Sequence, residues 1–189
     1  MARPLSEDKR TAILEAATEV VAMLGLSAPT AKIASGAGVA EGTLFTYFAN
    51  KDELLNRLYV ELKMGLRDAM MAGYPAGKSL IERMRHVWVR YVGWGSANPS
   101  KRKAVRQLAV SDRITEESKK LTGDAFAEFH TLMRECARSG ALSNQPPSFV
   151  SAIMSAIADT TMDFIAREPA HAKRYTKAGF EAFWNAVAG

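Results

Sequence analysis

Within the run E-G-T-L-F-T-Y-F-A-N-K, Glu41 to Lys51, three hydroxyls, one carboxylate and one amine fall inside eleven positions. Leu44 and Phe48 stand at i and i+4, one apolar face of a helix. That leaves Glu41, Thr43, Thr46 and Tyr47 facing outward: hydroxyls suited to phosphate oxygens, on side chains of little bulk. The set does not read as a catalytic one. No carboxylate pair, Ser-His or Cys-His arrangement or phosphate-cradling loop accompanies it, so no catalytic residue and no enzyme is expected.

The elements that position these residues start upstream. Apolar residues at Ile13, Leu14, Ala17, Val20, Val21 and Leu24 follow the spacing of one helix face, with Ser6 as a start and Gly25 as a stop. Thr30 is placed to cap "AKIASGA", and Gly38 to end it in the left-handed conformation. A second short helix follows, and Asn50 caps a longer one from Lys51. Two short helices joined through Gly38, with Val39 in their angle, are the layout of a helix-turn-helix. Ala34, Ala37 and Gly38 would let the axes approach, and Gly42 would remove a side chain where the second helix meets a groove floor. An ordinary helical hairpin in a bundle has the same spacing.

The 189 residues, 48% hydrophobic and 24% charged, suit a folded globular chain. The rest of the pattern predicts helices over 52–71, 79–94, 101–110, 116–139, 148–166 and 172–186, nine in all, with no strand periodicity and no repeat. No membrane span is expected, and "MARPLSEDKR" lacks the apolar core of a signal peptide, so the expected location is the cytoplasm. Cys136 stands alone and reads as a buried thiol, and His86, His130 and His171 are scattered, so no metal or cofactor is expected. The net charge of +5 is not concentrated at the motif: residues 1–63 hold seven Lys/Arg against eight acids. The basic run at Lys101, Arg102, Lys103 and Arg106 reads as a solvated helix start that could also touch the first helix.

The stretch "TAKIASGAGVAEGTLFTYFANKDELL" resembles the DNA-binding domain of the TetR family of transcriptional repressors. Its pattern falls on Thr30, Ile33-Ala34, Ala37-Gly38-Val39, Gly42-Thr43-Leu44, Phe45-Thr46-Tyr47-Phe48, Lys51 and Leu54. The resemblance implies an all-α, nine-helix fold, with a helix-turn-helix DNA-binding domain over 1–50 and a helical ligand-binding and dimerisation domain over 51–189. It implies phosphate contacts at Thr30, Thr43, Tyr47 and Lys51, and groove-reading positions at Ala31, Glu41, Gly42, Phe45 and Thr46. Phe45 stands where Tyr is common, so that ring cannot donate a hydroxyl, and Ala40 stands where Ser often caps. Arg3 and Arg10 are candidate contacts from an N-terminal arm.

Segments such as "RQLAVS" and "ADTTMDF" further resemble the RamR-type repressors of multidrug efflux regulators, which implies a pocket for flat, hydrophobic, often cationic compounds. The positions that match are Tyr59, Lys63 and Trp88; Ser151 and Met154 stand where an acid and an aromatic are expected. Met70, Tyr91, Met133 and Met154 extend the candidate set, because methionine repacks around differently shaped ligands, although plain core packing is the better reading of any single Met. Asp159 and Asp163, one turn apart, would balance a cationic ligand or face solvent. The last two helices carry Phe149, Ile153, Ile157, Phe180, Phe183 and Trp184, more apolar surface than they should leave uncovered. The family resemblance makes this a homodimer interface, whose two-fold axis suits a palindromic operator on double-stranded DNA. The expected function is a ligand-released repressor; an activator and an all-helical small-molecule carrier are the alternatives.

Overall fold

The computed structural model describes residues 6–188. These residues form α1 (Glu7–Leu24), α2 (Thr30–Gly36), α3 (Glu41–Tyr47), α4 (Lys51–Met71), α5 (Leu80–Ala97), α6 (Pro99–Ala109), α7 (Glu116–Ala125), α8 (Ala127–Cys136), α9 (Pro147–Arg167) and α10 (Ala172–Ala188). A single 3-10 turn, Pro169–His171, leads into α10. The fold is all-α, as expected, but the described residues make ten α-helices where nine were counted. The run expected over 116–139 divides at Phe126, which sits at φ −95° and ψ 10°. Its N–H turns to the Gly123 carbonyl at 3.1 Å, a tightened turn beside a residue of poor helix propensity.

The chain forms two compact units. The first holds the described residues through Met64 together with Asn98–Thr122. Its core joins Ile13, Ala17 and Val21 of α1 to Ile33, Leu44, Phe48, Leu54 and Leu58, and Ala104 and Leu108 of α6 complete it. α6 packs along α1, where Ser100 Oγ donates to Glu19 Oε2 at 2.7 Å. Packing therefore groups the first half of α4 and all of α6 with the three N-terminal helices, beyond the residue 50 boundary set from the motif.

The second unit holds Gly65–Ala97 and Gly123 onward. Its core is built around Trp88, fully buried, whose indole N–H donates to the Thr176 carbonyl at 2.9 Å. The Phe183 ring stacks on it at 6.0 Å, and Phe180 lies tilted at 6.4 Å. This corrects the interface reading of α10: Phe180 and Phe183 are taken up by the chain's own core and offer no surface to a partner. Phe149 is exposed, and Ile153, Ile157 and Trp184 are half-buried. Neighbouring atoms approach the glycine backbone closely at two points. A Cβ at position 179 would lie 2.3 Å from Thr161 Oγ1, and one at position 140 would lie 2.3 Å from the Val187 carbonyl carbon.

α9 is 21 residues long with a mean hydropathy of 1.4 over its most apolar window, long and apolar enough to cross a membrane by length and composition. The expectation that no such segment exists is corrected to that extent. In this fold Val150, Met154, Ala158, Thr161 and Met162 bury one face of α9 against α5, α8 and α10.

Candidate nucleic-acid interface

The turn between α2 and α3 is fixed by backbone bonds. Gly38 has φ +66°, its N–H donates to Ser35 O at 3.1 Å, and Val39 N–H donates to Ala34 O at 3.0 Å. This paired closure satisfies two carbonyls that the helix end would otherwise orphan. Val39 then half-buries against the core. The three glycines of the motif do different things. Gly38 is needed for its dihedral and not for close approach, since a Cβ there would meet nothing within 4 Å. The close approach is at Gly36, where a Cβ would lie 3.3 Å from the Ala16 Cβ of α1. Around Gly42 this chain supplies no atom within 4 Å of a Cβ, so nothing inside the chain demands a glycine there.

On α3, Leu44 is fully buried while Glu41, Gly42, Phe45 and Thr46 are exposed and Thr43 and Tyr47 half-buried. Phe45, an apolar ring at 41% exposure, is left uncovered by its own chain. Ala31 is exposed on α2.

The structure also assigns intramolecular partners that spacing did not reveal. Thr30 is not a cap: it is the first residue of α2, follows Pro29 at the N-cap position, and its hydroxyl donates to Glu41 Oε1 at 2.6 Å. A phosphate, which only accepts, can take that proton only if Glu41 releases it. Thr46 Oγ1 donates to Gly42 O at 3.1 Å, which leaves its lone pairs and methyl outward. Tyr47 accepts from Ser6 N–H at 3.1 Å and keeps its own O–H to donate. The Thr43 N–H donates to Ala40 O at 2.9 Å, and its hydroxyl has no hydrogen-bond partner among the described residues.

Lys51 opens α4. Asn50 caps that helix, its Oδ1 accepting from Glu53 N–H at 2.8 Å, while Glu53 Oε2 accepts from Ala49 N–H at 2.8 Å. The Lys51 ammonium donates to the Ala28 carbonyl at 2.6 Å, which uses one of its three protons. Its pKa is held below the usual lysine range by burial first and by the Arg113 charge second, with Asp52 opposing.

Arg113 is the contributor that sequence reasoning missed. Asn56 clasps its loop to α4: Nδ2 donates to Asp52 O at 2.8 Å and to Arg113 O at 2.9 Å, and Oδ1 accepts from Thr115 N–H at 2.9 Å. Arg113 then pairs with Asp52 at 3.0 Å. No local signal could have found a partner 61 residues away. Arg10, in contrast, is corrected as an arm residue. Both its terminal nitrogens lie 3.2 Å from Glu61 Oε1, which ties it to α4. Arg3 lies outside the described residues.

The ligand candidates are divided between the two units. Met70, Trp88, Met133 and Met154 are brought together, but as core side chains no more than 3% exposed, with Tyr91 packed against them. Tyr59 belongs to the other core cluster, its hydroxyl 3.5 Å from Thr122 Oγ1. Lys63 is in the same unit as Tyr59, and burial lowers its pKa.

Residues 13–58 match the family model of the bacterial regulatory proteins, tetR family. Over 54 residues the chain is 48% identical to the fatty acid metabolism regulator protein of Bacillus subtilis (strain 168), a match covering 28% of this chain and 27% of that protein. Over 76 residues it is 36% identical to the HTH-type transcriptional regulator YhgD of the same organism, covering 38% of this chain and 40% of that one. Similarity to these curated relatives thus spans less than half of their length. The crystal structure of a tetR family transcription regulator from Shewanella sp. PV-4 superposes with a TM-score of 0.82 at 27% identity, covering 96% of this chain and 98% of that one. Motif, helix order and whole-chain similarity agree: residues 13–58 match the tetR family model, and over 96% of its length the chain is similar to a tetR family transcription regulator.

Proposed function

We propose that the protein is a DNA-binding transcriptional regulator, a repressor that binds a palindromic operator as a homodimer and is released by a hydrophobic small molecule. The observation that carries this is α3, whose Gly42, Thr43, Phe45 and Thr46 form a face that its own chain leaves open. Thr43, Tyr47 and Lys51 each retain a proton for a phosphate oxygen. Thr46, its own proton committed, reads as an acceptor for a base amino group or a methyl contact to thymine. Residues 1–50 carry the DNA contacts in this reading, joined by Lys51 at the start of α4, and the rest of 51–189 carries ligand binding and dimerisation.

A homodimer is supported by the apolar face between α9 and α10. A groove of about 450 Å³ there is lined by Ile157, Thr161, Phe164, Tyr175 and Gly179, with Phe149 and Ile153 further along α9. The two-fold axis would place two α3 helices in major grooves about one helical turn apart. Ligand entry among Met70, Trp88, Met133 and Met154 requires core side chains to move, and the methionines repack at low cost. α4 runs unbroken through residues of both units and is the element through which such a change would alter the α3 spacing. The site of action is the cytoplasm, where the operator lies.

The test is selection of bound sequences from a random duplex library, then titration of the winner at two salt concentrations. A palindromic consensus with steep salt dependence is the expected result. Folded protein that enriches no sequence would refute the regulator reading and favour a small-molecule carrier. Enrichment of a site from which the protein raises transcription would make it an activator.

A further inference from the structure

The second unit also contains a preformed cleft apart from the buried methionines. It lies between α5 and the first half of α10 and has a volume of about 550 Å³, within the range of small-molecule sites. Val89 of α5, 49% exposed, and Ala172 of α10 supply apolar wall, while Phe180, which also lines the cleft, is only 3% exposed. Three cations line the same cleft, Arg85, Lys173 and Lys177, against one acid, Glu181. The acid is matched by Lys177 at 3.6 Å, so two positive charges remain uncompensated within the lining.

The Arg85 guanidinium lies over the Phe180 ring, its Cζ 5.0 Å from the ring centre. That contact covers the ring and leaves the N–H edge to address a carboxylate. The side-chain amine of Lys173, in the first turn of α10, has no hydrogen bond or ion pair among the described residues. We infer that this cleft binds a single-headed amphipathic anion, its apolar chain against Val89 and Ala172 and its carboxylate between Arg85 and Lys173. A cationic ligand would meet like charge at the rim, and a purely polar anion would leave the apolar wall unused. The inference goes beyond the regulator reading, because it concerns binding that requires no DNA.

The floor of the cleft is tied to the core: Thr176, which lines it, accepts the Trp88 indole N–H through its carbonyl. Occupancy should therefore perturb tryptophan emission. The experiment titrates the full chain, without DNA and below the critical micelle concentration, with dodecanoate, dodecanol and dodecyltrimethylammonium, read by calorimetry and tryptophan fluorescence. Dodecanoate is expected to bind at least about tenfold more tightly than either other probe, since a charge-assisted hydrogen bond is made only by the anion. The Arg85→Gln/Lys173→Gln double variant, both positions exposed and its folding checked by melting, is expected to lose about that factor.

Equal affinity for the three probes, or a double variant that binds dodecanoate unchanged, overturns the inference. So does attachment to anionic vesicles without binding of monomeric dodecanoate, which would make the cleft a membrane contact. None of these outcomes bears on operator selection, and failure of operator selection leaves the dodecanoate result standing.

Discussion

Replacing Gly36, Gly38 and Gly42 by alanine, one at a time, separates three physical roles that lie within seven residues. Gly38 has φ +66°, where a Cβ crowds the following carbonyl at a cost of about 1–2 kcal/mol per residue. At a urea slope of about 2 kcal/mol per molar, Gly38→Ala should lower the unfolding midpoint by roughly 0.7 M. Gly36 lies in the last turn of α2, where the gain in helix propensity is opposed by the 3.3 Å approach to Ala16 Cβ, so Gly36→Ala should change stability little. Gly42 is the second residue of α3, with an ordinary dihedral and open space around it. Alanine there removes up to about 1 kcal/mol of helix penalty, and about 0.5 near a helix end, so the midpoint should rise by roughly 0.25 M. The same methyl stands on the face proposed to enter a groove. Operator affinity should therefore fall at least about tenfold while stability rises. Urea unfolding and a binding titration of the selected duplex measure both. If Gly42→Ala destabilises the protein, or binds the operator within about twofold of the original, the account of that glycine is wrong.

Three further outcomes follow from the geometry. Lys51→Met should cost about 1 kcal/mol of stability, because the Ala28 carbonyl loses its donor, and should reduce the salt slope of DNA binding by about one; an unchanged slope would remove Lys51 from the phosphate contacts. Gly179→Ala should destabilise the second unit by about 1–3 kcal/mol, since its Cβ would stand 2.3 Å from Thr161 Oγ1 and 2.8 Å from Trp88 Cζ2. Adding Thr161→Ala should recover part of that loss in thermal unfolding, and no recovery would mean that the Trp88 contact dominates. Burial pushes the Cys136 thiol up to about 11, so at pH 8 the native protein should resist iodoacetamide, react faster as pH approaches that value, and label readily in urea. Native labelling at the rate of an ordinary free thiol would contradict the buried position.

The local sequence determined whatever is decided within a few residues. The Gly38 turn, the Asn50 cap and the helix limit at Gly25 depend on dihedral preference and on donors three or four positions away, so residue type and spacing carry them. The recognition motif was legible for the same reason, because a buried Leu44 and Phe48 one turn apart force Thr43, Thr46 and Tyr47 toward the other side. Tertiary packing decided the rest. Thr30 with Glu41, Arg10 with Glu61, Lys51 with Ala28 and Arg113 with Asp52 are 11 to 61 residues apart, and each pairing exists because helix packing brings the partners within reach. α9 and α10 are apolar on more than one face, so periodicity could not choose which face turns inward. Trp88 chose it: a fully buried indole demanded stacking rings and an acceptor, and it drew Phe180, Phe183 and the Thr176 carbonyl into the core.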